Sequence, residues 1–208
     1  MRRIAGIDTL RTIGVLMVLI AGLQPFLHLT VPTILIELMA TMGAGIFIFA
    51  SGMSLSQKYP RIDSGADLAG YFRHHVFHRF PIYWSFIIFT LVFTSVLVLD
   101  PYQTLAYLSG TQALLGPLPA LDMLWLAGLA IILYAAYPLL IWKEDGQLKI
   151  IVRSVVLLVP FLALDLLAGS IYPMLFLFLP AFVSALVLSR CTDLDKIGNS
   201  SLTSGLIS

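Results

Sequence analysis

Six apolar runs, each near the length of a bilayer crossing, constrain this chain more than any other feature of its sequence. A hydrocarbon core about 30 Å thick requires roughly 20 helical residues at 1.5 Å per residue. The runs cover 13–29, 32–55, 81–99, 119–142, 150–168 and 171–189. Only 11% of the residues are charged, against about a quarter in soluble domains. The sequence therefore predicts an all-α polytopic transmembrane bundle with about six spans.

A further apolar stretch, 102–117, lies between the third and fourth runs. Gly110 and Gly116 interrupt it, and it is too short to cross a bilayer comfortably. We predict an interfacial or re-entrant helix on the outer face. The first run resembles a signal peptide in position, but it lacks a small-residue cleavage pattern, so we interpret it as an uncleaved span.

The distribution of basic residues predicts the orientation of the bundle. All 12 lysine and arginine residues fall before the first run, after the second, at the junction of the fourth and fifth, or after the sixth. Cytoplasmic loops of membrane proteins carry an excess of such residues. We therefore predict that both termini are cytoplasmic and that the protein resides in the cell (plasma) membrane, with lipids as its partners. The net charge of +1 gives no reason to expect a nucleic-acid partner.

Cysteine and histidine spacing gives little support for a metal site. The single cysteine, Cys191, excludes an internal disulfide and a zinc site made of cysteines alone. His74 and His78 have the spacing of two helical metal ligands, but no third ligand is evident. We predict no metal cofactor, and the sequence leaves the oligomeric state open.

Two groups of residues are candidates for anion binding at the cytoplasmic side. Asp8 and Arg11 are three apart and can pair on one helix face, either as an interfacial anchor or with Arg11 holding an anionic group inside the bundle. The segment 71–84 is basic and aromatic. Its residues Arg73 and Arg79, with the neighbouring histidines, can bind phosphates of a lipid headgroup or of a nucleotide-bearing cofactor, or can simply anchor an amphipathic interfacial helix.

The second and fourth runs carry packing and aromatic residues. Small residues in the second run, from Ala40 to Gly52, favour the close approach of a neighbouring helix. Trp125 and Tyr134 in the fourth run fit either bundle packing or a pocket. Glu37 and Asp165 are carboxylates near the membrane that leave a small transporter as a further alternative.

Several of these stretches, in this order, resemble the membrane-bound acyltransferase family 3, whose members O-acylate sugars, polymers and lipids from acyl-coenzyme A. The matching stretches are IDTLRTIGVLMVLI with Asp8 and Arg11, GAGIFIFASGMSLS with Ser51, FRHHVFHRFPIYW with Arg79 and Tyr83, LWLAGLAIILYAAYPLL with Trp125 and Tyr134, and finally LFLFLPAFVSALVL followed by LDKIGNSSL. Membrane acetyltransferases that act on glucosamine ends share the opening motif and are a rival assignment.

The resemblance implies a donor site for acyl-CoA and a set of site residues. Arg11, Arg73 and Arg79 would bind the donor, whereas Asp8, Ser51, Tyr83, Trp125 and Tyr134 would have substrate-binding or structural roles. Residues 1–190 would form the transmembrane acyltransferase-3-like domain. The polar tail 191–208 would contain the start of the family's last helix.

The departures from the family pattern fall on proton-transfer positions. The family's histidine base corresponds to Gly22 here, a carboxylate of its second helix to Gly45, and a polar residue of its tryptophan helix to Ala130. His28 is too far along the helix to replace the base. We therefore expect transfer activity to be impaired or absent, which leaves a non-catalytic membrane partner as the main alternative to an enzyme.

Overall fold

The computed structural model describes residues 5–27, 31–78, 81, 83–85, 88, 105, 108–111, 125–143, 146–168 and 174–191. The helices are α1 (Ala5–Leu27), α2 (Thr33–Lys58), α3 (Gly65–Tyr71), a π-helical segment (Phe72–Phe77), α4 (Trp125–Ile141), α5 (Gln147–Ala168) and α6 (Met174–Cys191). Across these ranges there is no β-strand, only an isolated bridge between Ile62 and Trp142. The predicted all-α class is confirmed for this part of the chain.

The predicted apolar runs other than the third coincide with these helices. Two of the helices are long and apolar enough to cross a membrane, α1 through its Gly6–Leu23 window and α2 over its full length. Two shorter apolar helices occupy Trp125–Ile141 and Leu175–Arg190. Most of the run 81–99 and of the segment 102–117 lies outside the described residues.

α1 and α2 pack as an antiparallel pair whose backbones touch. A Cβ atom added to Gly14 would lie 2.6 Å from the carbonyl oxygen of Gly43, and one added to Gly43 would lie 2.7 Å from the Cβ atom of Met17. Only glycine leaves room for this approach, since any side chain would separate the helices. The predicted tight packing of the small residues in α2 is confirmed.

The opposite side of α2 packs against α6, and these two helices run in the same direction. A Cβ atom at Gly52 would lie 3.0 Å from the carbonyl oxygen of Phe182. Closer to the ends of both helices, the Ser189 hydroxyl donates a hydrogen bond to Ser56 Oγ at 2.6 Å. α2 is therefore the central helix of the described bundle.

A cluster of tyrosines joins α3 to α4. The buried Tyr71 ring stacks on Tyr137, with centroids 5.6 Å apart, and its hydroxyl donates to the Tyr134 carbonyl at 2.7 Å. Pro138 lies four residues after Tyr134 and has no N–H to donate to that carbonyl. The Tyr71 hydroxyl therefore supplies the hydrogen bond that the proline removes from α4.

α3 begins with a capping box. Ser64 Oγ accepts a hydrogen bond from the Asp67 N–H, and the Ser64 N–H donates to the Asp67 carboxylate, both at 3.1 Å. The Ser64 side chain and backbone donors lower the pKa of the Asp67 carboxyl. A lowered pKa stabilises the fold while the carboxyl is ionised, so this contribution is present at neutral pH and is lost as the pH falls through the acidic range.

Large apolar side chains are exposed along α1, α2 and α5. On α5 they form one face at helical spacing, which includes Leu148, Val152, Val155, Val159 and Leu162. Isolated exposed apolar residues are ordinary, but continuous faces on several helices mark a surface that contacts something other than water.

Candidate anion site at the basic end

Arg11 lies at the contact between α1 and α2, beside Asp8 and Ser51, which are also predicted site residues. Its Nε atom donates to Ser51 Oγ at 3.3 Å, and its Nη1 atom lies 3.9 Å from Asp8 Oδ1. Ser51 is completely buried, whereas the Asp8 side chain is 58% exposed. The predicted Asp8–Arg11 pairing is confirmed, and Ser51 is an additional partner on α2.

The guanidinium of Arg11 retains capacity for an anion. Its side chain is 21% exposed, so it is partly removed from water, yet its terminal nitrogens donate no hydrogen bond to any of the described residues. The Asp8 carboxylate, 3.9 Å away, is close enough to form an ion pair with Arg11 but too far to accept a hydrogen bond from it. Because a guanidinium presents five N–H donors, Arg11 can bind a phosphate or carboxylate through two parallel bonds.

The C-terminal ends of α2, α4 and α6 lie together with the N-terminal end of α5. We call this region of the molecule the basic end. The Tyr137 hydroxyl donates to the Tyr59 carbonyl at 2.6 Å, and the Lys143 N–H donates to the Ile62 carbonyl at 3.0 Å. These bonds tie α4 to the loop that follows α2.

Two arginines of the basic end have structural roles. Arg190 donates to the Pro60 carbonyl at 2.9 Å, and Arg153 donates to the Trp142 carbonyl at 2.7 Å. Both bonds satisfy carbonyl groups next to the ends of helices, where no helical N–H is available. Arg190 and Arg153 thereby stabilise the segments that follow α2 and α4.

Arg73 is on the π-helical segment and is exposed. Arg11, by contrast, is half-buried on α1 beside Ser51 of α2. Arg79, the third, lies outside the described residues, as do His28 and the tail 192–208.

The remaining predicted site residues have packing positions. Trp125 stacks on Phe178 of α6, with ring centroids 5.6 Å apart. Tyr134 and Tyr83 are buried. Trp125 and Tyr134 share α4 but have different neighbours, since the Tyr134 carbonyl contacts Tyr71 near the basic end.

The Phe178 ring also lies next to Gly45, one of the positions where the sequence departs from the acyltransferase pattern. A Cβ atom on Gly45 would lie 3.8 Å from this ring. Ala130, a second such position, is buried in the core cluster. Gly45 therefore adjoins an aromatic ring and Ala130 lies in the apolar core, and neither residue can transfer a proton.

Sequence reasoning did not find three features of this end of the bundle. They are the Ser56–Ser189 hydrogen bond, the Tyr71 bond to the Tyr134 carbonyl, and the burial of His75 against Tyr59 and Tyr71. Of the three, only the Tyr71 bond has an indication in the sequence. A proline inside a helix always leaves the carbonyl four residues earlier without its N–H donor, so another donor is expected there. No group of three His, Cys, Asp or Glu side chains that could hold a metal is found in the described ranges.

Comparisons with known protein families, with curated proteins and with solved structures give no match for this chain.

Proposed function

We propose that the chain is a six-span membrane protein with its basic end in the cytoplasm, and that it binds acyl-CoA at Arg11 on an acyltransferase-3-like scaffold that lacks the family's histidine base. The five ordered motifs support the family assignment.

The directions of the helices support the six-span arrangement. In a six-span protein, spans two and six run in the same direction, and α2 and α6 are parallel by their Gly52–Phe182 and Ser56–Ser189 contacts. Spans one and two run in opposite directions, as α1 and α2 do. The exposed apolar faces of α1, α2 and α5 fit contact with lipid chains.

The setting of Arg11 carries the donor-binding part of the proposal. A guanidinium fixed on one side by buried Ser51 and partly shielded from water is preorganised for an anion, because its geometry is set before binding. Reduced contact with water also strengthens each charge-assisted bond. The phosphates of coenzyme A are anions of the required kind.

Gly22, Gly45 and Ala130 support the absence of transfer chemistry. None of these residues can accept a proton from an acceptor hydroxyl, and the Phe178 ring lies beside Gly45. The same observation favours a second candidate function, a non-catalytic membrane partner protein that has retained the scaffold alone. The two candidates differ in whether acyl-CoA binds.

The experiment that tests the proposal is a binding measurement with radiolabelled acetyl-CoA on detergent-purified protein. The unmodified chain is expected to bind label without releasing acylated product. Arg11→Gln is expected to weaken binding by about tenfold or more, since a hydrogen bond to a charged group contributes about 1.5–3 kcal/mol. Ser51→Ala is expected to weaken it less, because it removes only the group that orients Arg11.

Lys149→Gln is the matched control, since it removes an exposed basic side chain from the N-terminal end of α5 and leaves Arg11 intact. It should bind label as the unmodified chain does. Absence of binding in the unmodified chain would reject the donor site and favour the non-catalytic partner. Equal binding by the Arg11→Gln variant would show that the donor, if bound, is held elsewhere.

A further inference from the structure

The π-helical segment and the residue after it expose a set of side chains that the proposed donor site does not use. Arg73, His74, Phe77 and His78 are all exposed. They form two pairs at a spacing of four residues, so they share one side of the helix. We call this set the basic face.

The opposite side of the same segment is fixed to the bundle. His75 and Val76 are buried, and the His75 ring packs edge-on against Tyr59 with centroids 5.0 Å apart. Tyr71, immediately before the segment, bonds to α4 through the Tyr134 carbonyl. This attachment fixes the direction in which the basic face points, which is away from the protein.

The chemistry of the basic face is that of an anionic, partly apolar partner. Phe77 is 63% exposed, an unfavourable position for a phenyl ring in water, and it is flanked by a permanent charge and imidazole donors. Arg73, His74 and His78 make no hydrogen bond or ion pair with residues in the described ranges. The sequence contains no acidic residue from 68 to 99 that could neutralise them.

A lipid surface meets both requirements at once, because phosphate headgroups lie directly above acyl chains. Aromatic residues are enriched at this depth of a membrane, and basic residues next to a span attract acidic lipids. The half-exposed Trp84, in the short helical stretch that follows, is a second aromatic side chain of the interfacial type.

We propose that the basic face binds the headgroups of acidic phospholipids in the leaflet at the basic end, with Phe77 inserted among the acyl chains. This inference rests on the membrane insertion in the proposed function, but not on acyl-CoA binding. Arg73 is thereby assigned to lipid, and Arg11 alone to the donor.

Native mass spectrometry of the full-length protein, titrated with phosphatidylglycerol or with phosphatidylcholine, tests the proposal. The unmodified chain is expected to bind phosphatidylglycerol more tightly. Arg73→Gln should weaken that binding by about fivefold, the value typical of one basic residue near an anionic surface. The triple variant R73Q, H74Q and H78Q should lose the preference for phosphatidylglycerol.

Lys143→Gln is the matched control, an exposed basic side chain elsewhere on the basic end, and it should keep the preference. An equal loss in this control, or an unchanged preference in the triple variant, would overturn the proposal. Displacement of phosphatidylglycerol by acyl-CoA, with acyl-CoA binding abolished by Arg73→Gln, would overturn it in favour of a donor role for Arg73.

Resistance of the protein to alkaline carbonate extraction from membranes separates the two proposals. A protein that resists extraction but shows no preference for phosphatidylglycerol overturns the lipid site alone. A protein that is extracted overturns the proposed membrane insertion, and the lipid site with it.

Discussion

Replacement of Gly14 by valine is expected to lower the free energy of unfolding by at least about 3 kcal/mol, the upper end of the usual cost of overpacking. A Cβ atom at this position would lie 2.6 Å from the Gly43 carbonyl oxygen and 2.8 Å from the Phe47 backbone nitrogen. Both are main-chain atoms of α2, so they cannot move aside as a flexible side chain can. α1 and α2 must separate to admit the valine.

The separation should also disturb the anion site. Arg11 is one turn before Gly14 on α1, and its bond to Ser51 depends on the same helix contact. Thermal unfolding in detergent, followed by intrinsic fluorescence, measures the stability loss. Binding of labelled acetyl-CoA by the folded fraction should fall in the same variant.

Gly6→Ala is the control for this prediction, because Gly6 is on the same helix and, apart from the adjoining backbone of α1, nothing in the described structure lies within 4 Å of its Cβ position. Alanine has a higher helix propensity than glycine, so this variant should be as stable as the unmodified chain or slightly more stable. If Gly14→Val unfolded at the same temperature as Gly6→Ala, the result would contradict the close contact between α1 and α2.

Tyr71→Phe is expected to destabilise the protein by about 1–3 kcal/mol, the cost of leaving a buried polar group without its hydrogen bond. The variant retains the ring that stacks on Tyr137 and removes only the hydroxyl. The Tyr134 carbonyl would then lose the donor that replaces the missing N–H of Pro138. Tyr71 and Tyr134 are both buried, so water cannot readily replace the lost donor.

A double-mutant cycle with Pro138→Ala tests this explanation. Alanine at position 138 restores an N–H four residues after Tyr134, so the carbonyl regains a helical donor. Tyr71→Phe should therefore cost less in the Pro138→Ala background than in the unmodified chain. Additive effects of the two substitutions would contradict the proposed link between the tyrosine and the proline.

Tyr59→Phe serves as the comparison for the loss of a hydroxyl. Its ring belongs to the same aromatic cluster, with a centroid 5.2 Å from that of Tyr71. Its hydroxyl makes no hydrogen bond to the described residues. Tyr59→Phe should change stability little, and its effect should be independent of Pro138.

The helices and the central packing contact could be predicted from the sequence because their signals are local. Apolar runs of the right length predicted α1, α2, α4, α5 and α6, and the small residues of the second run predicted close helix packing. α1 begins at Ala5, several residues before the first apolar run, and so includes Asp8 and Arg11. Its first turns mix apolar and polar residues, so hydropathy does not mark them, although Ile7 is buried there.

The candidate site could be predicted only in part, since its partners are far apart in the sequence. The Asp8–Arg11 pair follows from helical spacing, but nothing local indicates that Arg11 reaches Ser51, 40 residues later. The structural roles of Arg153 and Arg190 were missed for the same reason. Positive charge predicts which end of a bundle a residue occupies, but not whether its donors are already engaged by carbonyls.

The composition of the basic segment 71–84 is compatible with two functions and does not decide between them. Its composition indicated phosphate binding or interfacial anchoring, and only burial separates the two sides of the helix. His75 faces the bundle, whereas His74 and His78 are exposed. The structure thus divides one run of similar residues into a packing group and an outward-facing group.

A measurement of the orientation of α2 relative to the membrane tests the proposed six-span arrangement most directly. In a Cys191→Ala background, single cysteines replace the exposed residues Thr33 and Gln57 at opposite ends of this helix, about 36 Å apart. A membrane-impermeant maleimide is expected to label the cysteine at position 33 in intact cells, and the one at position 57 only after permeabilisation. The reverse pattern would contradict the proposed orientation, and labelling of both in intact cells would show that α2 does not cross the membrane.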